Sequence, residues 1–318
     1  MILVFFAHCL TSTDSIPETI LNEQIYGDVR DIITPKIFDG VDTVVQLAAI
    51  SNDPMGDRFK TATNNINYQS SVNLARLAQK AGCVKNYVFA SSCSVYGTVG
   101  DKPRQETDLV NPLTNYAKSK IETEKALKQE IFCEMKITCL RFATACGMSP
   151  RLRLDLVLND FVASALTNDV ITVLSDGNPW RPLIHVEDIA RAIDWAIQRP
   201  VSNGGQYLII NVGSDDWNYQ IKDLAYSVAN EIPGTKVSIN KDALPDKRSY
   251  AIDFSLFRSL ATNFLPSVKL KDAIKGLRDG LLHINFADPE YLHSNLIRLK
   301  VLDNFVLNKS LSSDLYWI

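Results

Sequence analysis

The residues that could do chemistry lie in two short segments. The apolar run Asn86-Tyr87-Val88-Phe89-Ala90 leads into Ser91 and Ser92, and Tyr116-Ala117-Lys118-Ser119-Lys120 follows. A tyrosine four residues before a lysine puts both side chains on one helix face. A phenol with a pKa of about 10 is a poor base at neutral pH. A lysine ammonium beside it stabilises the phenolate, so Tyr116 can act as base and acid toward an alcohol. Ser92, at the end of the strand, can hydrogen-bond the same substrate oxygen and hold charge as it develops. The chemistry is deprotonation of an alcohol while a nicotinamide takes the hydride. The competing reading is an ordinary exposed helix pair, which arises at this spacing by chance. A strand ending Ala-Ser-Ser-Cys-Ser-Val-Tyr-Gly just upstream favours the chemical reading.

These residues need a scaffold, and the pattern of the chain supplies one. Apolar runs alternate with helical periodicity, which predicts parallel strands joined by crossover helices. Val41 to Ile50 reads as a buried strand, followed by a polar loop, Ser51 to Asp57. Helical periodicity covers Phe59 to Ala81 and stops at Gly82. Tyr87 to Ala90 is the next strand, Tyr116 to about Glu130 a helix, and Lys136 to Phe142 a strand. Further on, Ser149 to Asp155 is a basic loop, Leu156 to Leu166 helical, and Ile171 to Leu174 a short strand. Helices at His185 to Gln198 and Ile221 to Glu231 flank a strand at Tyr207 to Val212, and the remainder is mostly helical. The expected fold class is α/β: a doubly wound, Rossmann-like parallel sheet over residues 1–147. A smaller interleaved substrate lobe covers 148–318, with some segments returning to the sheet. In such sheets ligands sit outside the carboxyl ends of the strands, where strand order reverses. Ser92 and the Ser51–Asp57 loop therefore belong to one crevice.

Composition narrows the partners. Apolar content of 46% and charged content of 22% are ordinary for a globular protein. A net charge of -3 provides no basic footprint, so nucleic acid is not expected as a partner. The six cysteines show no metal-ligand spacing and read as reduced thiols of a cytoplasmic protein, with no metal site. No apolar run approaches the length of about 18 residues that spans a bilayer, so no membrane partner is expected. Met1 to Phe6 reads as a buried strand rather than a signal peptide, because it lacks a basic start and a good cleavage site.

From about Tyr26 onward the chain resembles the extended short-chain dehydrogenase/reductase family, the NAD-dependent nucleotide-sugar epimerases and dehydratases. Tyr26-Gly27-Asp28-Val29-Arg30-Asp31 resembles the family's G-D-[IV]-R-D segment, which implies that Asp28, with Val29, meets the adenine. Leu47-Ala48-Ala49 resembles the strand end that runs past the cofactor, with Gln46 where His is common. Asn67 matches the helix asparagine that supports the active site. Ser92, Tyr116 and Lys120 match the catalytic serine, tyrosine and lysine, and the resemblance implies that the lysine also grips the nicotinamide ribose. Arg181-Pro182-Leu183-Ile184-His185-Val186-Glu187-Asp188 resembles the R-x-x-[IV]-H-V-x-D motif, whose arginine reaches the substrate diphosphate. Asn159 falls where epimerases place a substrate-binding asparagine, while His185 reads as a structural histidine. Arg248 reads equally as a second phosphate ligand or a structural ion pair, and Arg151 and Arg153 as pocket or surface residues. The resemblance implies a nucleotide-diphosphate sugar as substrate, NAD or NADP as cofactor, and a homodimer through the helices of Asn67 and Tyr116.

The departures from the family pattern are also informative. Cys93 and Ser94 stand where 4,6-dehydratases carry an Asp-Glu pair, which disfavours loss of water. Thr144 stands where many members have Asn, leaving the sugar open. The glycine-rich turn that takes the pyrophosphate has no counterpart, and the sole glycine before residue 40 is Gly27. Counted back from Asp28, about the first 25 to 35 residues of the pattern are missing. Two functions are therefore expected: a nucleotide-sugar epimerase or related sugar oxidoreductase, or a truncated, inactive relative acting as a binding or scaffold protein. With the turn missing, dinucleotide binding is expected to be weak or lost.

Overall fold

The computed structural model describes residues 3–6, 23–97, 102–130, 134–243 and 249–318. Strands β1 (Leu3–Phe6) and β2 (Glu23–Tyr26) pair in parallel. Strand β3 (Thr43–Gln46) leads to a short helix, α1 (Asp53–Arg58). Helix α2 (Lys60–Thr63) continues through a π-helical turn, Asn64–Gln69, into α3 (Ser70–Ala81). Strand β4 (Asn86–Ser92), α4 (Asn115–Gln129) and β5 (Lys136–Phe142) follow. The second half supplies β6 (Thr144–Cys146), α5 (Val157–Asn168), β7 (Val170–Val173), β8 (Trp180–His185), α6 (Val186–Gln198) and β9 (Tyr207–Val212). It ends with β10 (Asn218–Gln220), α7 (Ile221–Glu231), β11 (Lys236–Ile239), α8 (Ser255–Leu260), α9 (Leu270–His283) and α10 (Arg298–Leu307).

The main sheet runs β3-β4-β5-β9, all parallel, so a strand from the second half closes it. Its strands are apolar on both faces, as parallel sheets under helices require. Tyr87, Phe89, Ile137 and Cys139 point to one side, where Leu74, Leu77 and Ala78 of α3 pack. Val88, Leu140, Ile210 and Val212 point to the other, against Ala192, Trp195 and Ala196 of α6. The second lobe has its own core, with Leu158 and Phe161 of α5, Leu224 and Val228 of α7, and Ile274 and Leu277 of α9. The architecture is the expected Rossmann-like α/β fold.

Three local expectations need correction. The strand predicted to reach Ile50 ends at Gln46, whose Oε1 accepts from the Ala48 N–H at 2.8 Å and turns the chain out of the sheet. The predicted Ser51–Asp57 loop is mostly helix, because Asn52 caps it by accepting from the Met55 N–H and Pro54 opens its first turn. Strand β8, between β10 and β6, precedes the helix that starts after His185. Its Pro182 lacks an N–H and hid it from a pattern reading.

Two cations are buried where β5 begins beside the end of α6. The Lys136 ammonium donates to the Ile197 carbonyl at 3.0 Å and to the Arg199 carbonyl. Arg199 donates to Thr138, Ile137, Asn203 and Gly205. The carbonyls that Lys136 meets lie at the C-terminus of α6, a setting that favours positive charge. Burial first, then Arg199, nonetheless lowers Lys136 to about 8. The unfolded chain, with an ordinary lysine near 10.5, therefore binds more protons than the native state across roughly pH 8–10.5. Stability from this group rises with pH through that window and is flat below it. Lys136→Met should flatten that part of the rise, read as the wild-type-minus-variant difference in melting temperature between pH 7.5 and 10.

Candidate functional site

Strand β4 delivers Ser92 to the carboxyl edge of the sheet. There its hydroxyl accepts from the Ser94 N–H at 3.1 Å and starts a 3-10 turn, Cys93–Tyr96. Helix α4 begins beside it, capped by Thr114, whose Oγ1 accepts from the Ala117 N–H and donates to Asp53 at 2.7 Å. Gly56 of α1 makes this approach possible: a Cβ there would sit 3.0 Å from both the backbone nitrogen and the Cβ of Tyr116. Tyr116 and Lys120 follow one turn apart on α4. The Lys120 ammonium is 5.6 Å from the Tyr116 ring centroid and 4.9 Å from that of Phe89, and donates to the Ala90 carbonyl at 2.7 Å.

Burial dominates the electrostatics of the site. Burial pushes the Tyr116 phenol up to about 12, opposed by a hydrogen bond to Ser92 and by the nearby Arg153 charge, while Asp53 raises it further. Burial lowers Lys120 to about 8, and Glu124 one turn on opposes that shift. Cys93 is buried, donates to the Arg141 carbonyl at 3.1 Å and is driven far up by desolvation, so its thiol offers no base.

The remaining residues singled out from the sequence fall into distinct places. Asn67 lies in the π-helical turn, a feature that often marks functional positions. Its amide brackets Ile50, accepting from the N–H at 2.8 Å and donating to the carbonyl at 2.9 Å, and it also donates to Ser119 at 3.1 Å. It therefore joins the end of β3 to α4. Asn159 is also buried and spends its amide on the chain: Oδ1 accepts from the Gly147 N–H and Nδ2 donates to the Arg153 carbonyl. His185 accepts from the Glu187 N–H at 3.3 Å, capping α6. Arg181 holds its guanidinium 5.7 Å from the centroid of the Tyr250 ring. Arg248 lies outside the described residues.

Asp28, Val29, Leu47, Ala48 and Ala49 sit at the carboxyl ends of β2 and β3. The Asp28 carboxylate is engaged by Arg30, through Nε at 2.9 Å and Nη2 at 2.5 Å. Val29 is buried in the core, whereas Leu47 is exposed. Two further groups face Tyr116 without having been singled out, Asp53 and Tyr250; the latter also lines a cavity of about 750 Å³ with Trp180, Asn218, Asp253 and Arg258. Neither belongs to a motif whose spacing could have revealed it.

A sequence profile of the NAD-dependent epimerase/dehydratase family matches residues 8–213. The chain belongs to this family. Epimerase/dehydratase relatives include the Bacillus subtilis UDP-glucose epimerase YtcB, itself uncharacterised, 28% identical over 75% of this chain and 73% of its own. A putative UDP-glucose 4-epimerase of Methanocaldococcus jannaschii is 25% identical over 80% of this chain and 82% of its own. Among solved structures, MoeE5 in complex with UDP-glucose and NAD superposes with a TM-score of 0.71, at 24% identity, covering 82% of this chain and 86% of that one. That likeness establishes the fold. Among the described residues no helix is long and apolar enough to cross a membrane.

The bracket made by Asn67 yields a test. Asn67→Ala leaves the Ile50 N–H and carbonyl buried without partners, at a cost of about 1–3 kcal/mol for each group left unmatched. Urea unfolding should show a loss of roughly 2–6 kcal/mol on that basis, and a loss below about 0.5 kcal/mol would show that Asn67 does not hold the loop.

Proposed function

We propose that this chain is a nucleotide-sugar oxidoreductase of the epimerase type. The observation that carries the reading is the convergence of Ser92, Tyr116 and Lys120 at the carboxyl end of β4, with Lys120 buried behind the tyrosine ring. The Tyr116 oxygen takes the proton of a sugar hydroxyl, and the Lys120 ammonium stabilises the phenolate that forms. The Ser92 hydroxyl holds the reacting oxygen. In an epimerase the same tyrosine returns the proton when the ketone is reduced again on its other face. In a ketosugar reductase the substrate is already the ketone, the hydride comes from a reduced dinucleotide, and Tyr116 gives the proton. Cys93, buried and protonated, supports neither an acid nor a base for dehydration.

A nicotinamide dinucleotide, when bound, supplies the hydride acceptor. The residues fit one half of it. Lys120 has N–H groups beyond the one given to Ala90, and Tyr116 stands beside it, as a ribose and nicotinamide require. The proton steps use groups of the chain itself, Tyr116, Lys120 and Ser92. Arg181, beside Tyr250 and its cavity, supports a phosphate-bearing substrate. A homodimer through α3 and α4 and a cytoplasmic location complete the reading; Cys83, Cys93, Cys139 and Cys146 are free thiols. A second reading is a binding or scaffold protein that retains a sugar-nucleotide site.

Incubation of the chain with UDP-sugars and NAD or NADP, and with UDP-ketosugars and NADH or NADPH, followed by NMR of the sugar products, separates the two. Epimerised or reduced sugar supports the enzyme. Calorimetric binding of a UDP-sugar with no product under either cofactor supports the second reading. In the enzyme, Tyr116→Phe should lower turnover by at least about 10²-fold while leaving sugar-nucleotide binding within twofold or so; wild-type turnover in that variant would remove Tyr116 from the role.

A further inference from the structure

Behind the Ser92–Tyr116–Lys120 group lies a buried ion pair that the proton chemistry does not use. Glu124 follows Lys120 by one turn of α4 and is almost wholly inaccessible. Its Oε1 accepts from the Ser91 hydroxyl at 2.5 Å and from Arg141 Nε at 3.0 Å, and its Oε2 accepts from Arg141 Nη2 at 2.7 Å. Arg141 also donates to the Tyr96 hydroxyl at 2.9 Å, and that hydroxyl donates to Asn211 at 2.8 Å. One carboxylate thus connects the residue before Ser92, the helix of Tyr116 and Lys120, strand β5, and the turn after Ser92.

We propose that Glu124, clamped by Arg141 and Ser91, is the positioning residue of this site. It fixes α4 in register against the end of β4 and keeps the Lys120 ammonium charged behind Tyr116. Core stability alone explains the pair poorly. Desolvating two ions costs several kcal/mol each, and replacing such a pair with apolar side chains is often neutral or stabilising. Its placement explains it better, because both anchors of the carboxylate adjoin residues of the trio. Ser91 neighbours Ser92, and Glu124 shares a helix face with Lys120.

The groups facing Lys120 and its clamp are few. From α4 they are Tyr116 and Glu124; from β4, the Phe89 ring and the Ala90 carbonyl; from β5, Arg141 and Cys139; from the turn after β4, Cys93 and Tyr96; from β9, Tyr207. Glu106 lies within the field of Arg141 beyond Asn211. The thiols and phenols in this set are pushed far above neutral by burial and stay uncharged. Among these groups the charge that acts on Lys120 is therefore Glu124, which favours its ammonium and is itself paired with Arg141.

The inference takes its catalytic meaning from the proposed reading of Lys120, but its test does not depend on turnover. In the full chain with isotope-labelled lysine, NMR titration follows the Lys120 side chain, assigned by its loss in Lys120→Met. The wild-type midpoint is expected near pH 8. Glu124→Gln should lower it by about one unit or more, roughly a tenfold change in the acid constant. Should that variant not fold, Glu124→Gln combined with Arg141→Gln removes the unpaired charge, and the same downward shift is expected. A folded variant whose Lys120 midpoint stays within about 0.3 units of wild type overturns the proposal and leaves the pair a structural one. Where the wild type turns over a sugar nucleotide, the alkaline limb of its pH profile should move down with the same midpoint. A wild type with no turnover counts against the proposed function and leaves this inference to the titration.

Discussion

The site depends on the register between the end of β4 and the first turns of α4. No short connection imposes it, since residues 93–114 intervene. It is set instead by polar contacts along one face of α4. Ser119, Lys120, Thr123 and Glu124 are all buried, at helical spacing, on the face that also carries Tyr116. Each is partnered: Ser119 with Asn67, Lys120 with Ala90, Thr123 with the Asn67 carbonyl at 3.2 Å, and Glu124 with Ser91 and Arg141. An apolar face packed on the same sheet could slide or rotate at modest cost, whereas a row of directional bonds fits one register. A slip would leave several buried groups unpaired, each costing about 1–3 kcal/mol. Thr114 and Gly56 hold the start of the same helix, one by its cap and its bond to Asp53, the other by admitting Tyr116 at close range.

The same economy of side chains explains the two buried asparagines. Asn67 and Asn159 each bond, through both amide oxygen and nitrogen, to backbone groups of loops at the carboxyl edge of the strands. Asn67 fixes the loop after β3, which carries Asn52 and Asp53. Asn159 fixes the turn from Gly147 to Arg153, and Arg153 in turn bonds Ser51 and Asp155. The two loops therefore meet through Asn52, Ser51, Arg153 and Asp155, and this bridge sets the field that Tyr116 experiences from Asp53 and Arg153. Rigid loops around a reacting oxygen are what proton transfer within hydrogen-bond reach demands.

Much of this is legible in the sequence. Hydrophobic period fixes the inner strands, because a strand buried on both faces leaves a continuous apolar run, as at Tyr87–Ala90; Lys136–Phe142 keeps part of that signal through Ile137, Cys139, Leu140 and Phe142. The Tyr-x-x-x-Lys pair was legible for a related reason, since helical spacing alone brings its members to one face. The failures are as physical. The end of β3 turns on a side-chain bond from Gln46, a contact with no periodic signature. The α1 helix is six residues long, too short for periodicity to register. Glu124 escaped notice because a glutamate on a helix otherwise rich in Lys and Glu looks like one more solvated charge. Its partners, Arg141 and Ser91, come from two different strands, and their convergence exists in three dimensions alone.

Asp28 shows how a motif residue can be tied into distant parts of the chain. Its Oδ1 accepts from both the backbone N–H and Nε of Arg30, and its Oδ2 from Nη2. The Arg30 guanidinium is completed by the chain's last residues: Nη1 donates to the Asp314 carbonyl at 2.7 Å and Nη2 to the Leu315 carbonyl at 2.8 Å, with the Tyr316 ring 3.4 Å away. Leu311 and Leu315 of the same segment pack with Ile50, Met55 and Phe59 after β3. The carboxyl ends of β2 and β3, where a doubly wound sheet receives a dinucleotide, are thus tied together by the C-terminal segment. An adenine amino group approaching Asp28 must use the acceptor capacity left over by Arg30, because an ionised carboxylate has about four lone-pair sites and Arg30 takes three bonds. The motif therefore keeps an acceptor at this place while making its geometry depend on residues nearly three hundred positions away in the chain.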